Sequence, residues 1–249
     1  MRFQNQVLFV TGGASGIGLA TAQRVVAEGG RAAIVDLDLD RAQAAAAGLP
    51  GCIGLAANVA DDAAVAAAVS ATVEQLGGID LVLAAAGHAE FGPIAEWDAA
   101  RFSRMLEVHI GGTFNVCKHT LPVMKARGRG AIVTIASTAA FVANINNAPY
   151  GAAKAGIAGL TRQVALEALP EVRINCVAPG RTITGMTTPL MLDRGGDLEQ
   201  GEKIFGKNVP MKRMATAAEL AGTICFFLSD DASFVTGQTL LADGGETIS

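Results

Sequence analysis

Tyr150 and Lys154 lie four residues apart in Ala148 to Leu169, a segment of helical composition. That spacing sets their side chains one turn apart on the same helix face. An ammonium held there favours phenolate over phenol, at about 1.36 kcal/mol per unit of pKa lowering. The chain's one tyrosine would thereby become a usable acid or base. The plainer reading of the pair is a surface lysine beside a core tyrosine. Thirteen residues before Tyr150, Ser137 closes a strand pattern. A hydroxyl there can donate to a carbonyl oxygen, or hold an alcohol while Tyr150 exchanges the proton; taken alone it is an ordinary strand-end serine.

Near the amino terminus a strand pattern runs straight into Thr11-Gly12-Gly13-Ala14-Ser15-Gly16-Ile17-Gly18, and Leu19 to Glu28 has helical character. Glycines at 12, 16 and 18 allow a tight turn and let a pyrophosphate approach the amides and positive dipole of a helix start. The spacing is GxxxGxG and departs from the GxGxxG fingerprint. Eighteen residues beyond Gly18, Asp36 ends the second strand pattern, where a carboxylate can accept from the ribose hydroxyls of a dinucleotide. It would also repel a 2'-phosphate. Neither Ser15 nor Leu37 brings a basic group to offset that repulsion, so the expected cofactor is NAD in preference to NADP.

These residues need a scaffold that sets all of them at one edge. Short β-branched runs alternate with alanine-rich helical patterns: Val7 to Thr11, Ala32 to Asp36, Cys52 to Asn58, Asp80 to Ala85, Ala131 to Ser137, Arg173 to Ala178 and Thr239 to Ala242 read as strands. Such alternation predicts right-handed crossovers and a parallel sheet covered on both faces, an α/β doubly wound fold. Arg41 to Ala47 reads as a short surface helix. Pro179 to Asn208 breaks the rhythm; rich in Gly, Thr and Met, it is expected as an irregular functional loop, with a substrate lid at about residues 185–208. At 249 residues and 51% apolar, the chain suits a single domain, 1–249.

Composition narrows the function classes. Net charge is -4 and basic residues form no run, which argues against nucleic acid and for a small-molecule substrate. No apolar stretch reaches the roughly 18 to 20 residues of a membrane span. The amino terminus enters a strand pattern without a basic region or cleavage site, so a cytoplasmic location is expected. Cys52, Cys117, Cys176 and Cys225 are far apart and read as reduced; with His88, His109 and His119 they offer no metal-type spacing, so no metal is expected.

Together the glycine turn, Ser137, Tyr150-Gly151-Ala152-Ala153-Lys154, Arg173-Ile174-Asn175, Pro179-Gly180 followed by Thr184, and Asp243-Gly244-Gly245 resemble the short-chain dehydrogenase/reductase family over essentially the whole chain. The resemblance implies a seven-stranded Rossmann-type sheet, a dimer or tetramer, and a hydride passed between nicotinamide C4 and a secondary alcohol or ketone carbon, with Tyr150 as acid-base. It implies that Asn58 and Val59 lie near the adenine, that Ala84, Gly87, Pro179 and Gly180 border the cofactor, and that Thr184, with the backbone around Thr182, lies near the carboxamide. Lys154 would also hold the nicotinamide ribose.

Two departures stand out. Ala84-Ala85-Ala86-Gly87 replaces the family's NNAG, and His109 takes the place of the catalytic asparagine that holds a water in the proton relay. His109 can serve the relay itself, be a packing substitution, or preserve a helix distortion whose backbone carbonyl holds the water. The resemblance further sets His88, Glu90, Thr138, Phe141, Ile145, Asn147, Arg181 and Met186 near the substrate, with Arg181 either meeting an anion or facing solvent. The alternatives to an alcohol dehydrogenase are a 3-oxoacyl thioester reductase, which the NADP-repelling Asp36 disfavours, and a non-catalytic NAD-binding protein.

Overall fold

Val7–Thr11 is buried at every position, and its residues alternate between two apolar layers: Leu8 and Val10 join Phe3, Ile34, Leu83 and Val133 on one face, while Val7 and Phe9 join Val82, Ile132 and Ile174 on the other. A strand apolar on both sides can only be internal to a sheet covered twice. The computed structural model describes residues 1–249. In chain order its elements are β1 (Val7–Thr11), α1 (Gly16–Ala27), β2 (Arg31–Asp36), α2 (Leu39–Ala47), β3 (Ile53–Ala56), α3 (Asp62–Leu76), β4 (Leu81–Ala84), α4 (Ala99–Leu106), α5 (Gly112–Ala126), β5 (Gly130–Ile135), α6 (Ala148–Ala168), β6 (Val172–Pro179), β7 (Thr182–Ile183), α7 (Thr188–Gly195), α8 (Leu198–Gly206), β8 (Ala215–Thr216), α9 (Ala217–Leu228) and β9 (Thr239–Ala242).

Seven strands form one parallel sheet in the order β3-β2-β1-β4-β5-β6-β9, the doubly wound α/β architecture expected. Helix starts are marked by side chains that satisfy the leading amides: Asp61 accepts from Ala63 and Ala64, and Thr216 with Glu219 forms a capping box. No helix is long and apolar enough to cross a membrane. The strands expected as Cys52 to Asn58 and Ala131 to Ser137 are shorter at their carboxyl ends, so Asn58 and Ser137 lie in the loops that follow β3 and β5.

The segment expected as an irregular loop from Pro179 to Asn208 instead holds β7, α7 and α8. Its glycines look like breakers in sequence, but here they make a close helix–helix contact. A Cβ on Gly195 would lie 2.2 Å from the Gly201 nitrogen, and one on Gly201 would lie 2.5 Å from the Met191 carbonyl. Asp197 caps α8 by accepting from the Gln200 amide at 2.8 Å.

Candidate active site

The chain crosses from β3 on one side of β1 to β4 on the other, so loops diverge after β1 and β4 and open a crevice at the carboxyl edge, where open α/β sheets bind ligands. The glycine turn forms its floor. Gly12 has φ +64°, and a Cβ there would come within 3.0 Å of the Ala86 backbone. A Cβ on Gly18 would lie 2.3 Å from the Gly12 carbonyl, so only glycine lets the helix start pack onto the turn. Ser15 flanks α1 in extended conformation without capping it, which leaves the leading amides of that helix open to an anion. This cradle fits the pyrophosphate of a dinucleotide.

The crevice widens into a cleft of about 570 Å³. Gly12, Ser15, Gly16, Ile17, Gly18, Asp36, Leu37, Asn58, Val59, Gly87, Ser137, Tyr150, Lys154, Pro179, Gly180, Thr182 and Thr184 all line it. Ala84 does not: it is buried inside β4 among core residues, and the following Ala85 and Ala86 form the wall in its place. Asp36 is held by the Ala14 amide at 3.2 Å and the Leu37 amide at 3.0 Å. Sequence reasoning missed Arg41, which lines the same end from α2 and puts a positive charge there that Ser15 and Leu37 lack.

At the other end, α6 carries Tyr150 and Lys154 on one face, with the Lys154 Nζ 5.5 Å from the Tyr150 ring centre. Lys154 is 5% exposed and donates to the Ile135 carbonyl at 2.9 Å. Burial lowers its pKa to about 8. The expectation that this ammonium depresses the Tyr150 pKa is not met. Burial pushes the phenol up, and the Ser137 hydroxyl is the one neighbour acting in the other direction. The lysine is turned to the Ile135 carbonyl, and its own charge is desolvated. Ser137 opens a 3-10 turn and accepts from the Ala139 amide at 3.2 Å.

His109 stands behind the cleft wall at 0% exposure, within a π turn over Glu107–Gly111 that joins α4 to α5. Its ring lies edge-on to Tyr150 with centres 5.6 Å apart. Nε2 is 2.8 Å from the His88 carbonyl and 3.4 Å from the His88 amide; the shorter contact requires Nε2 to donate, so Nδ1 is the bare nitrogen, buried and without a partner. Burial, reinforced by the Lys154 charge, lowers the His109 pKa to about 3, so the ring is neutral. Its carbonyl accepts the Thr113 hydroxyl at 2.7 Å and shares the Gly112 amide with the Glu107 carbonyl. Gly87 makes room for the ring, since a Cβ at that position would lie 2.5 Å from His109 Cε1.

Of the residues expected around the substrate, His88 and Met186 line the cleft. Arg181 does not. It pairs with Glu246 at 2.8 Å and lies over the Phe205 ring, tied to the carboxyl-terminal segment and α8, so it offers nothing to a substrate anion. Glu90 is engaged by Arg101. Thr138, Phe141, Ile145 and Asn147 follow Ser137 outside the cleft wall, with Phe141 and Ile145 exposed. Sequence reasoning also missed Phe91, whose ring meets Tyr150 edge-on at 5.9 Å, and Arg104 and Val108, which line the cleft from α4 and the π turn. The i, i+4 spacing of Arg104 and Val108 just before His109 was the signal available for that pair.

A family model described as enoyl-(acyl carrier protein) reductase matches residues 12–247. The chain is 37% identical over 252 residues to 2-(S)-hydroxypropyl-CoM dehydrogenase 3 of Xanthobacter autotrophicus, covering 99% of this chain and 98% of that one. It superposes on the crystal structure of levodione reductase with a TM-score of 0.91 at 34% identity, covering 100% of both chains. It superposes on NAD+-bound xylitol dehydrogenase with a TM-score of 0.89 at 31% identity, covering 98% of this chain and 100% of that one.

Proposed function

The chain belongs to the short-chain dehydrogenase/reductase family and is an oxidoreductase acting on secondary alcohols or ketones with a nicotinamide cofactor; from that premise we propose that it uses NAD, with Tyr150 as the acid-base and Ser137 and Lys154 beside it. One observation carries the reading: Ser137, Tyr150 and Lys154 open into the same cleft as the glycine turn and Asp36. A nicotinamide cofactor held in this cleft would supply or accept the hydride at C4. Ser137 holds the substrate oxygen, and Tyr150 moves the proton on it. Lys154, buried behind Tyr150 and donating to the Ile135 carbonyl, would hold the nicotinamide ribose. The glycine turn and the start of α1 hold the pyrophosphate, with Asn58 and Val59 toward the adenine and Thr182 and Thr184 toward the carboxamide.

Asp36 supports NAD, and so does the NAD+-bound relative. Arg41 is the counterweight in that choice. His109 would join the path of the Tyr150 proton as a neutral acceptor, through an Nδ1 that is enclosed beside Gly87 and meets a water only when that wall moves. The reading extends to a single domain with α7 and α8 covering the substrate, to a homo-oligomer, and to a cytoplasmic location. Exposed Leu166 on α6 and fully exposed Phe234 support assembly, and four free thiols support a reducing compartment.

NADH formation at 340 nm from a panel of secondary alcohols, with NAD and NADP in parallel, tests the core of the reading. Turnover with NAD that collapses in Tyr150→Phe is expected. Equal or better turnover with NADP would remove Asp36 as the selector, and turnover indifferent to Tyr150→Phe would remove the acid-base.

A further inference from the structure

Arg101 and Arg104 both reach toward Glu90 from α4, and the carboxylate serves one of them. Arg101 Nη2 lies 2.7 Å from Glu90 Oε1 and its Nε donates to the same oxygen at 2.9 Å. Its Nη1 donates to the Glu96 carbonyl at 3.1 Å, and its guanidinium lies 4.6 Å over the Trp97 ring. Arg104 reaches only the far oxygen, at 4.0 Å, with 61% of its side chain exposed. That separation is too long for a hydrogen bond, and an ion pair so exposed contributes little.

Arg104 is nevertheless part of the cleft wall, beside His88 and one turn before Val108. The His88 ring Nε2 is enclosed there without a partner. Burial holds the His88 pKa below its usual value despite the nearby Glu90, and His88 and Arg104 line the same cleft. The other cations of the cleft have different positions or partners: Lys154 is buried against the Ile135 carbonyl, and Arg41 stands at the Asp36 end. Arg104 precedes His109 by five residues across the junction of α4 and the π turn, and the His109 ring lies edge-on to Tyr150. A guanidinium in the wall of the cleft that also holds Tyr150 is thus left with its fork unused.

We propose that Arg104, with His88 beside it, binds an anionic group of the substrate, a carboxylate or sulfonate set apart from the carbinol carbon. A guanidinium pairs such a group through two parallel N–H bonds, and the unpartnered His88 ring adds a polar contact. The proposal rests on the reading that Tyr150 marks the reacting end of the cleft. The same charge could instead meet a phosphate of the cofactor, and the experiment separates the two sources.

Cyclohexanecarboxylate and cyclohexanecarboxamide, neither of which can be oxidised at a carbinol, are titrated into the complex with NADH, using the unaltered protein, Arg104→Gln and Arg104→Lys, with the Kd for NADH measured alongside. The acid is expected to bind the unaltered protein at least tenfold more tightly than the amide, to lose about 10- to 100-fold in Arg104→Gln, and to regain part of that in Arg104→Lys. The uncharged amide should bind all three proteins alike. A weakened Kd for NADH in Arg104→Gln, with the acid-to-amide ratio unchanged, would assign Arg104 to the cofactor phosphate. No preference for the acid in the unaltered protein would end the proposal. Neither ligand needs turnover, so a failure of the dehydrogenase reading would appear separately, as silence in the alcohol assay.

Discussion

The two edges of the same sheet treat most of their polar groups in opposite ways, with Gln6 Oε1, bare beside β1 at the amino-terminal edge, as the exception. At the amino-terminal edge, Asp80 is 1% exposed and fully engaged, accepting the Val7 amide at 3.0 Å and pairing with Arg127 at 3.0 Å and Arg129 at 3.5 Å. Arg173 likewise donates to the carbonyls of Phe227 and Ser229, at 3.0 and 2.9 Å. At the carboxyl edge, His109 Nδ1 and His88 Nε2 are enclosed without partners, Lys154 is desolvated to a pKa of about 8, and Arg104 is only loosely paired. Buried polar groups are normally satisfied because leaving one bare costs free energy. An edge where several are bare is one where a ligand completes the set.

The contrast breaks most visibly at Tyr150. Tyr150→Phe should lower kcat/KM by about 10²- to 10⁴-fold while leaving the thermal midpoint nearly unmoved, as calorimetry and NADH formation on one preparation would show. If stability fell in step with activity, Tyr150 would belong with the structural edge. Asp80→Ala is the mirror experiment. It strands the Val7 amide and frees two arginines, so unfolding in urea should reveal a loss of about 2–3 kcal/mol with kcat of the folded protein unchanged.

His109 sharpens the comparison through pH. Its folded pKa, about 3, lies below the ordinary value of 6.5, so between those values the unfolded chain binds the extra proton. The contribution is complete above pH 6.5 and is lost as pH falls toward 3, at up to about 1.36 kcal/mol per unit. His109→Asn should flatten that acid limb in urea titrations at pH 7, 6 and 5, and should slow turnover by less than Tyr150→Phe does. An unchanged limb and rate would return His109 to simple packing. The smallest effect is expected at Asp36, where Asp36→Asn should raise the NADP-to-NAD ratio of kcat/KM by about tenfold, equivalent to about 1.4 kcal/mol. A ratio set instead by Arg41 would move in Arg41→Gln and stay fixed in Asp36→Asn.

The alternation of strands with helices and the cofactor end were the most legible parts of the chain because they depend on local pattern. Val7–Thr11 and Thr239–Ala242 match their expected bounds, and the glycine turn needs only backbone freedom at a strand-to-helix junction. The region after Pro179 was misread because a glycine that breaks a helix and a glycine that lets two helices touch look identical in sequence. Ala84 was misplaced by one residue, at the point where β4 turns from core to cleft. Arg181, expected either to meet an anion or to face solvent, does neither, because the partner that occupies it, Glu246, lies 65 positions away in sequence.

The sequence by itself determined the doubly wound sheet, the glycine cradle, and the presence of Ser137, Tyr150 and Lys154 at one edge, because periodicity, turn chemistry and helical spacing are properties of neighbouring residues. The tertiary structure alone decided the ionisation of Tyr150 and Lys154, the tautomer and neutrality of His109, and which arginine is left over. Those depend on burial and on partners brought in from distant parts of the chain, and desolvation is a property of the packed interior that no local pattern records.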